Sequence, residues 1–380
     1  MGLVLNEDQE MLRDSAADFV KKESPVSRVR QLRDANDPLG YSKETWGKMA
    51  ALGWPAILVP EEFGGLGMGM VEMACVLEEC GRNLVPEPLL STCVLGGQAI
   101  VLGGSVAQKK AVLPSVADGS LLLALAYQEK RSRFSVTHCE TAARAEGTGF
   151  VLDGEKTLVW DGHTADKIIV SARSRGGVAD QDGITLFLVD ATAAGVEITR
   201  QSTMHLRNAA LVSLTGVEVG ADAVLGTVGG GAAVLEDVID RATAALSAEM
   251  LGVMQTSFAL TLDYLKTRKQ FGVLIGTFQA LKHRAANIFV ELELSRSAVY
   301  GAATAIDENA KDWRSTVSVA KARCSDSAVL AGYEGIQMHG GIGMTDEADI
   351  GFYAKRARGS ELTFGDAAYH RDRFATLQGF

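Results

Sequence analysis

The hydrophobic period of this chain changes twice, and that limits its fold more than any other feature. Up to about residue 115, apolar residues recur at three- and four-residue steps, as at Leu12, Ala16, Phe19 and Val20. That is the spacing of one buried helix face. From about Leu121 the step becomes two, in the β-branched runs "LLLALAY", "GFVLDGEKTLVW", "KIIVSAR", "ITLFLVD", "VEITR" and "ALVSLTGVEV". After "GTVGGG" (Gly226 to Gly231) the helical period returns in long pieces. Residues 232–267 contain no proline and a single glycine, Gly252, so nothing breaks a helix there. These regimes predict an α+β chain of three parts: an N-terminal helical domain (1–117), a middle antiparallel β barrel or sandwich (118–228) and a C-terminal four-helix bundle (229–380). The bundle helices are expected over 232–267, 278–310, 315–338 and 347–378. Asn6 is placed to cap the first helix, and a second helix runs from Ser42 to Leu52, closed by Gly53 and Pro55. Asp153-Gly154 reads as a hairpin turn.

Charge and cysteine usage narrow the partners. The formal net charge is −10 over 380 residues, which disfavours binding to a nucleic-acid backbone. Five cysteines, with no C-x-x-C, argue against a disulfide framework and for a reducing cytoplasm. The N-terminus "MGLVLNEDQEMLRDS" has no basic region followed by an apolar core, so no secretory signal is expected. Gly2 would suit myristoylation, but Asn6 stands where that motif wants Ser or Thr. No apolar run approaches the ~18 residues of a membrane span.

Two motifs could carry chemistry. In "YLKTRKQFGVLIGTFQALKHR" (Tyr264 to Arg284) a long helix ends in Lys266, Arg268 and Lys269, followed by a loop with Gly272 and Gly276. Cations there complement a helix macrodipole; the same Arg268 guanidinium also suits bidentate binding of a diphosphate. In "QMHGGIGMTDE" (Gln337 to Glu347), His339-Gly340-Gly341 suits a helix C-cap and also lets a backbone approach a ligand closely. No H-x-x-x-H, His/Cys cluster, P-loop or Rossmann spacing is present, so no metal or nucleoside triphosphate site is expected.

Together, "R-K-Q-F-G…F-Q" and "Q-x-H-G-G-x-G" resemble the acyl-CoA dehydrogenase family over nearly the whole chain. "GWPAILVPEEFGGLGMG" (Gly53 to Gly69) and "GEKTLVWDGHTADKIIVSAR" (Gly154 to Arg173) match it as well. The resemblance implies that family's helical, β, helical architecture and FAD held at subunit interfaces of a tetramer. It implies desaturation of an acyl-CoA thioester, and it allows an electron-transfer flavoprotein as acceptor. A carboxylate would remove the α-proton while the β-hydrogen leaves as hydride to the flavin. By resemblance, Arg268, Gln270, Phe271 and Gln279 contact the FAD of a neighbouring subunit. Gln337, His339, Gly340 and Gly341 contact its adenosine and diphosphate end.

The chain departs from the family where the chemistry should be. The usual base, a Glu before a Gly in the last helical region, aligns with Phe364. The alternative home, on the helix before the R-x-Q-F-G loop, aligns with Ala242, and its neighbouring arginine with Thr243. The segment that wraps the flavin ring corresponds to "YQEKRSRFS" (Tyr127 to Ser135), in which Glu129 matches. The ring-stacking tryptophan aligns with Leu158, and Trp160 should share that strand face by parity. This pattern resembles the base-lacking chain of the two-chain acyl-CoA dehydrogenases of steroid side-chain degradation. Three readings therefore stand: an FAD-sharing subunit with a base-bearing partner, a self-sufficient homotetramer using Asp366 or Glu249, and a non-catalytic scaffold. Asp366, if helical, would lie ~200° around the axis from Phe364, and Glu249 ~10 Å along the helix from Ala242. Asp240 and Glu361 read as salt-bridged or solvated carboxylates, and His370 and Arg371 as a polar helix face.

Overall fold

The computed structural model describes residues 5–380, so the reading of Gly2 lies outside the described residues. Asn6 caps α1 (Glu7–Glu23): its side chain accepts from the Gln9 amide while the Gln9 side chain accepts from the Asn6 amide, a reciprocal box. Helices α2 (Val26–Asp34), α3 (Lys43–Ala51) and α4 (Met70–Arg82) follow. A buried π-helical stretch, Leu90–Gly97, then leads into α5 (Gln98–Gly103) and α6 (Val106–Ala117).

The middle of the chain forms β1 (Leu123–Ala126), β2 (Ala142–Glu146), β3 (Gly149–Trp160), β4 (Lys167–Arg173), β5 (Ile184–Asp190), β6 (Val196–Gln201), β7 (Ala209–Gly220) and β8 (Val224–Leu225). The hydrogen-bonded path is β6-β7-β3-β2-β4-β5-β8, with β1 beside β4. The sheet is mixed and not purely antiparallel, because β1 and β2 both run parallel to β4. Asp153 and Gly154 do not make the expected turn. They lie inside β3 at a shift of register, and Gly154 takes φ +154° where a Cβ would sit 2.6 Å from Thr141 Oγ1. A glycine inside a strand marks such a bulge as readily as a turn.

The C-terminal part contains α7 (Gly231–Thr267), a short hairpin of β9 (Lys269–Gln270) and β10 (Val273–Leu274), α8 (Gln279–Asp307) and α9 (Trp313–His339). The fourth expected helix is two: α10 (Ile350–Leu362) and α11 (Ala367–Leu377). Phe364 and Gly365 between them have φ of +58° and +108°, which no right-handed helix passes through.

Helix α7 is the central post of the molecule. Its proline-free sequence presents buried residues over most of its length, and it packs on α4, α8, α9 and α10. It crosses α4 at two glycines. A Cβ at Gly252 would lie 1.8 Å from the Glu78 carbonyl oxygen, and one at Gly81 would lie 2.0 Å from that of Glu249. Gly252→Ala is therefore expected to force the helices apart. Overpacking of this kind costs about 3 kcal/mol, visible as a lower urea midpoint. An unchanged midpoint would mean the crossing yields freely.

Candidate functional site

The break between α10 and α11 opens onto a cleft of about 960 Å³ between the sheet and the C-terminal helices. Glu236, Asp240 and Thr243 of α7 line it, with Phe364, Asp366 and Tyr369 from the break and α11. Of the two positions that the resemblance aligns with a base, Phe364 lines the cleft, whereas Ala242 is fully buried beside Thr243, which lines it. A second, smaller cavity of about 220 Å³ adjoins it, lined among others by Leu158, Trp160, Arg207 and Phe364. Tyr127, Gln128, Leu362 and Phe364 border both spaces, so Phe364 is part of the wall between them.

Aromatic groups crowd that wall. The Trp160 and Phe364 ring centroids are 5.2 Å apart at a tilt of 40°, and the Arg207 guanidinium sits 4.0 Å over the Trp160 ring. Trp160 is 8% exposed while Leu158 is 44% exposed. The parity rule fails here because β3 shifts register between Lys156 and Val159 and Leu158 takes φ +51°. Both residues nevertheless line the smaller cavity.

The carboxylates have distinct occupations. Glu249 is buried and pairs with both Arg207 and Arg356, the latter at 2.8 Å; burial opposes its charge, but the two arginines hold its carboxyl below the usual range. Its charge is committed to an Arg–Glu–Arg triad, and it does not line the cleft. Asp240 accepts from Arg314 at 3.0 Å and Arg373 at 2.8 Å, joining α7, α9 and α11. Glu361 pairs with Arg358 at 2.6 Å. Asp366 caps α11 by accepting from the Tyr369 amide at 2.8 Å, and it lines the cleft. The helical argument that turned it away from Phe364 does not apply, since residues 363–366 are not helical. His370 is no surface polar group: it is 2% exposed, burial lowers its pKa to about 3, and the neutral ring donates from Nε2 to the Phe364 carbonyl. Arg371 is exposed and pairs with Asp326.

Sequence reasoning passed over several of these groups. Asp161 is buried beside the Ser91 hydroxyl, and desolvation lifts its pKa to about 6. Arg207, Arg356 and Lys321 carry no motif, and only the packing of distant segments reveals them. The expectation that Glu129 belongs to a working segment finds it buried in an ion pair with Lys156, at 2.6 Å.

The two sequence motifs meet at one end of the helical bundle. Tyr264, a turn before Arg268, stacks on His339 with ring centroids 4.5 Å apart. His339 Nδ1 lies 2.7 Å from the Gly335 carbonyl, so that nitrogen carries the proton. Arg268, Gln270, Phe271, Gln279 and Gln337 are all exposed, Phe271 at 91%. Among the described residues Arg268 has no carboxylate partner. Gly340, at φ +65°, ends α9, and a Cβ there or at Gly341 would meet nothing within 4 Å.

Comparison with known proteins accords with this geometry. Models of the acyl-CoA dehydrogenase N-terminal, middle and C-terminal domains match residues 6–120, 124–217 and 229–376. The "Acyl-CoA dehydrogenase IpdE2" of Mycobacterium tuberculosis is 32% identical over 355 residues, covering 93% of this chain and 92% of the relative. The chain belongs to the acyl-CoA dehydrogenase family. It is thus an FAD-dependent oxidoreductase acting on the CH–CH bond of an acyl-CoA. The solved steroid ACAD Tcur3481–Tcur3483, in a variant form, superposes with a TM-score of 0.87 at 30% identity, over 98% of each chain. The ChsE4–ChsE5 complex from Mycobacterium tuberculosis gives 0.88 at 25% identity over 100% of each.

The residues present fit the diphosphate end of FAD. The exposed Arg268 guanidinium, with no carboxylate partner among the described residues, and the open Gly340-Gly341 backbone suit an anionic diphosphate. Tyr127, Gln128 and Ser132 to Ser135 line the larger cleft, whose volume of about 960 Å³ falls within the roughly 300–1,000 Å³ typical of small-molecule sites, whereas the adjoining cavity of about 220 Å³ does not.

Among the described residues no helix is long and apolar enough to cross a membrane.

Proposed function

We propose that this chain is the FAD-sharing subunit of a hetero-oligomeric acyl-CoA dehydrogenase whose partner chain supplies the catalytic carboxylate. The observation that carries this reading is Phe364: an aromatic ring, packed at a tilt against Trp160, stands at the cleft wall where the family resemblance puts the base. A phenyl ring takes no proton, and the aligned alternative, Ala242, is equally inert. The paired names of the Tcur3481–Tcur3483 and ChsE4–ChsE5 structures support a two-chain assembly. The first also supports a steroid-derived acyl group as substrate. A tetramer in the cytoplasm, passing electrons to an electron-transfer flavoprotein, completes the proposal.

In this scheme Arg268, with Gln270, Phe271 and Gln279, grips the diphosphate and flavin side of a cofactor bound mainly by the partner. Gln337, His339, Gly340 and Gly341 contact its adenosine end. When bound, FAD accepts the hydride from the β-carbon of the thioester. The Arg207–Glu249–Arg356 triad keeps the sheet and the helices in register around the cleft.

The test is acyl-CoA oxidation with an artificial electron acceptor, by the pure chain and by the chain co-expressed with a related acyl-CoA dehydrogenase encoded next to it. A general base contributes about 10²–10⁴-fold, so the single chain should be slower than the pair by at least that lower figure. Robust turnover by the single chain would sink the proposal. One observation favours a second reading: Asp366 lines the same cleft. If the pure chain does turn over, Asp366→Asn should abolish that activity while leaving bound flavin in place.

A further inference from the structure

Lys321, on α9, is fully buried, yet no carboxylate lies within salt-bridge reach of it among the described residues. Its ammonium is satisfied by other means. Nζ donates to the Gly365 carbonyl at 2.7 Å, to the Glu361 carbonyl at 2.9 Å and to Ser325 Oγ at 3.1 Å. The intervening carbonyl, that of Phe364, accepts from His370 Nε2 at 2.9 Å. The other ring nitrogen of His370 faces Ser318 Oγ at 3.4 Å. Ser318, Lys321 and Ser325 are three and four residues apart, so they form one face of α9.

That face is a rack for the α10–α11 break. Three carbonyls within five residues, Glu361, Phe364 and Gly365, are held by buried side chains from two other helical segments. The break needs such support. Phe364 sits at φ +58°, a left-handed conformation that is unfavourable for a bulky residue. Strain of this kind persists where surrounding structure over-determines it, and it gathers at functional sites. An uncompensated ammonium in the core is also unfavourable, and burial lowers the Lys321 pKa to about 7. Two unfavourable features facing each other across hydrogen bonds point to a shared purpose.

We propose that Lys321 and His370 are positioning residues that pin the backbone of residues 361–365 and thereby hold the Phe364 ring as the wall between the larger and the smaller cavity. Neither touches the reacting atoms. They determine where the side chain at position 364 points, and so how deep the cleft reaches. The inference concerns the loop alone and stands whether or not a partner chain supplies the base.

Trp160 reports on the wall, because its ring is covered by Phe364 on one side. The chain has four tryptophans, so the emission of Trp160 is isolated as the difference from Trp160→Phe. Acrylamide quenching is then measured on the full chain, without substrate, for Lys321→Met, Phe364→Ala and the double variant, with folding checked by circular dichroism. Lys321→Met should expose Trp160 to quencher about as much as Phe364→Ala does. In the Phe364→Ala background, Lys321→Met should add nothing, since both act through the same ring. A general loosening of the core would instead add to the Phe364→Ala effect. If Lys321→Met does not fold, His370→Gln, which removes a single pin, is read the same way. Trp160 remaining protected in a folded variant, or additive effects of the two substitutions, would overturn the proposal.

Discussion

Glu249→Gln should lower the folding stability of this chain by about 3–5 kcal/mol, the range for breaking a buried ion pair by removing one partner. Arg207 and Arg356 converge on the Glu249 carboxylate from the β6–β7 connection and from α10, and Arg356 also donates from Nε to the His205 carbonyl at 3.0 Å. Arg356 is 1% exposed. The neutral amide would leave the buried Arg356 guanidinium and the partly buried Arg207 guanidinium facing each other without their shared counter-charge. The effect has a defined pH dependence. The Glu249 pKa is depressed in the fold, below its ordinary 4.5. Its stabilising contribution is therefore complete above the unfolded value of 4.5 and is lost as the pH falls through the folded value. The difference between wild type and variant in urea midpoint should be large at pH 7 and should shrink under acid conditions below the folded pKa. Equal midpoints at pH 7 would show that the triad is not an energetic keystone of the domain contact.

Arg268→Ala should weaken flavin binding by about 10- to 100-fold in the assembled enzyme. Hydrogen bonds to charged groups contribute about 1.5–3 kcal/mol net, and an arginine–phosphate fork makes two in parallel. The side chain is exposed and, among the described residues, has no acidic partner. Its removal should leave the fold and the unfolding midpoint of the chain unchanged. A flavin titration of the apoenzyme complex, followed by fluorescence, measures the affinity. Full affinity in the variant would show that the exposed cation serves only the dipole of α7.

Much of the architecture was legible because it rests on local rules. The capped start of α1, the long α7 and the alternating strands each follow from a periodicity or a cap read within a few residues. The glycine punctuation was legible in kind but not in place. Gly154 reads equally as turn or bulge, and the choice depended on Thr141, just before β2, lying against it. Likewise, nothing local told that residues 347–378 would break at Phe364-Gly365, since the positive φ there is held by Lys321 and His370 from elsewhere in the fold.

The candidate site divides along the same line. Residue identity alone established that neither aligned base position carries a proton acceptor: Phe364 and Ala242 are apolar in any conformation. It also located the Arg268 and His339 motifs, because their glycines and cations lie close together in the chain. Only the tertiary structure decided which of the remaining carboxylates are free. Glu249 is consumed by arginines 42 and 107 residues away, and Asp240 by Arg314 and Arg373. Asp366 is left facing the cleft by a helix break. Charge pairing of this kind acts over a few ångströms in space and is indifferent to separation along the chain. A one-dimensional reading therefore finds the groups, while the fold determines their partners.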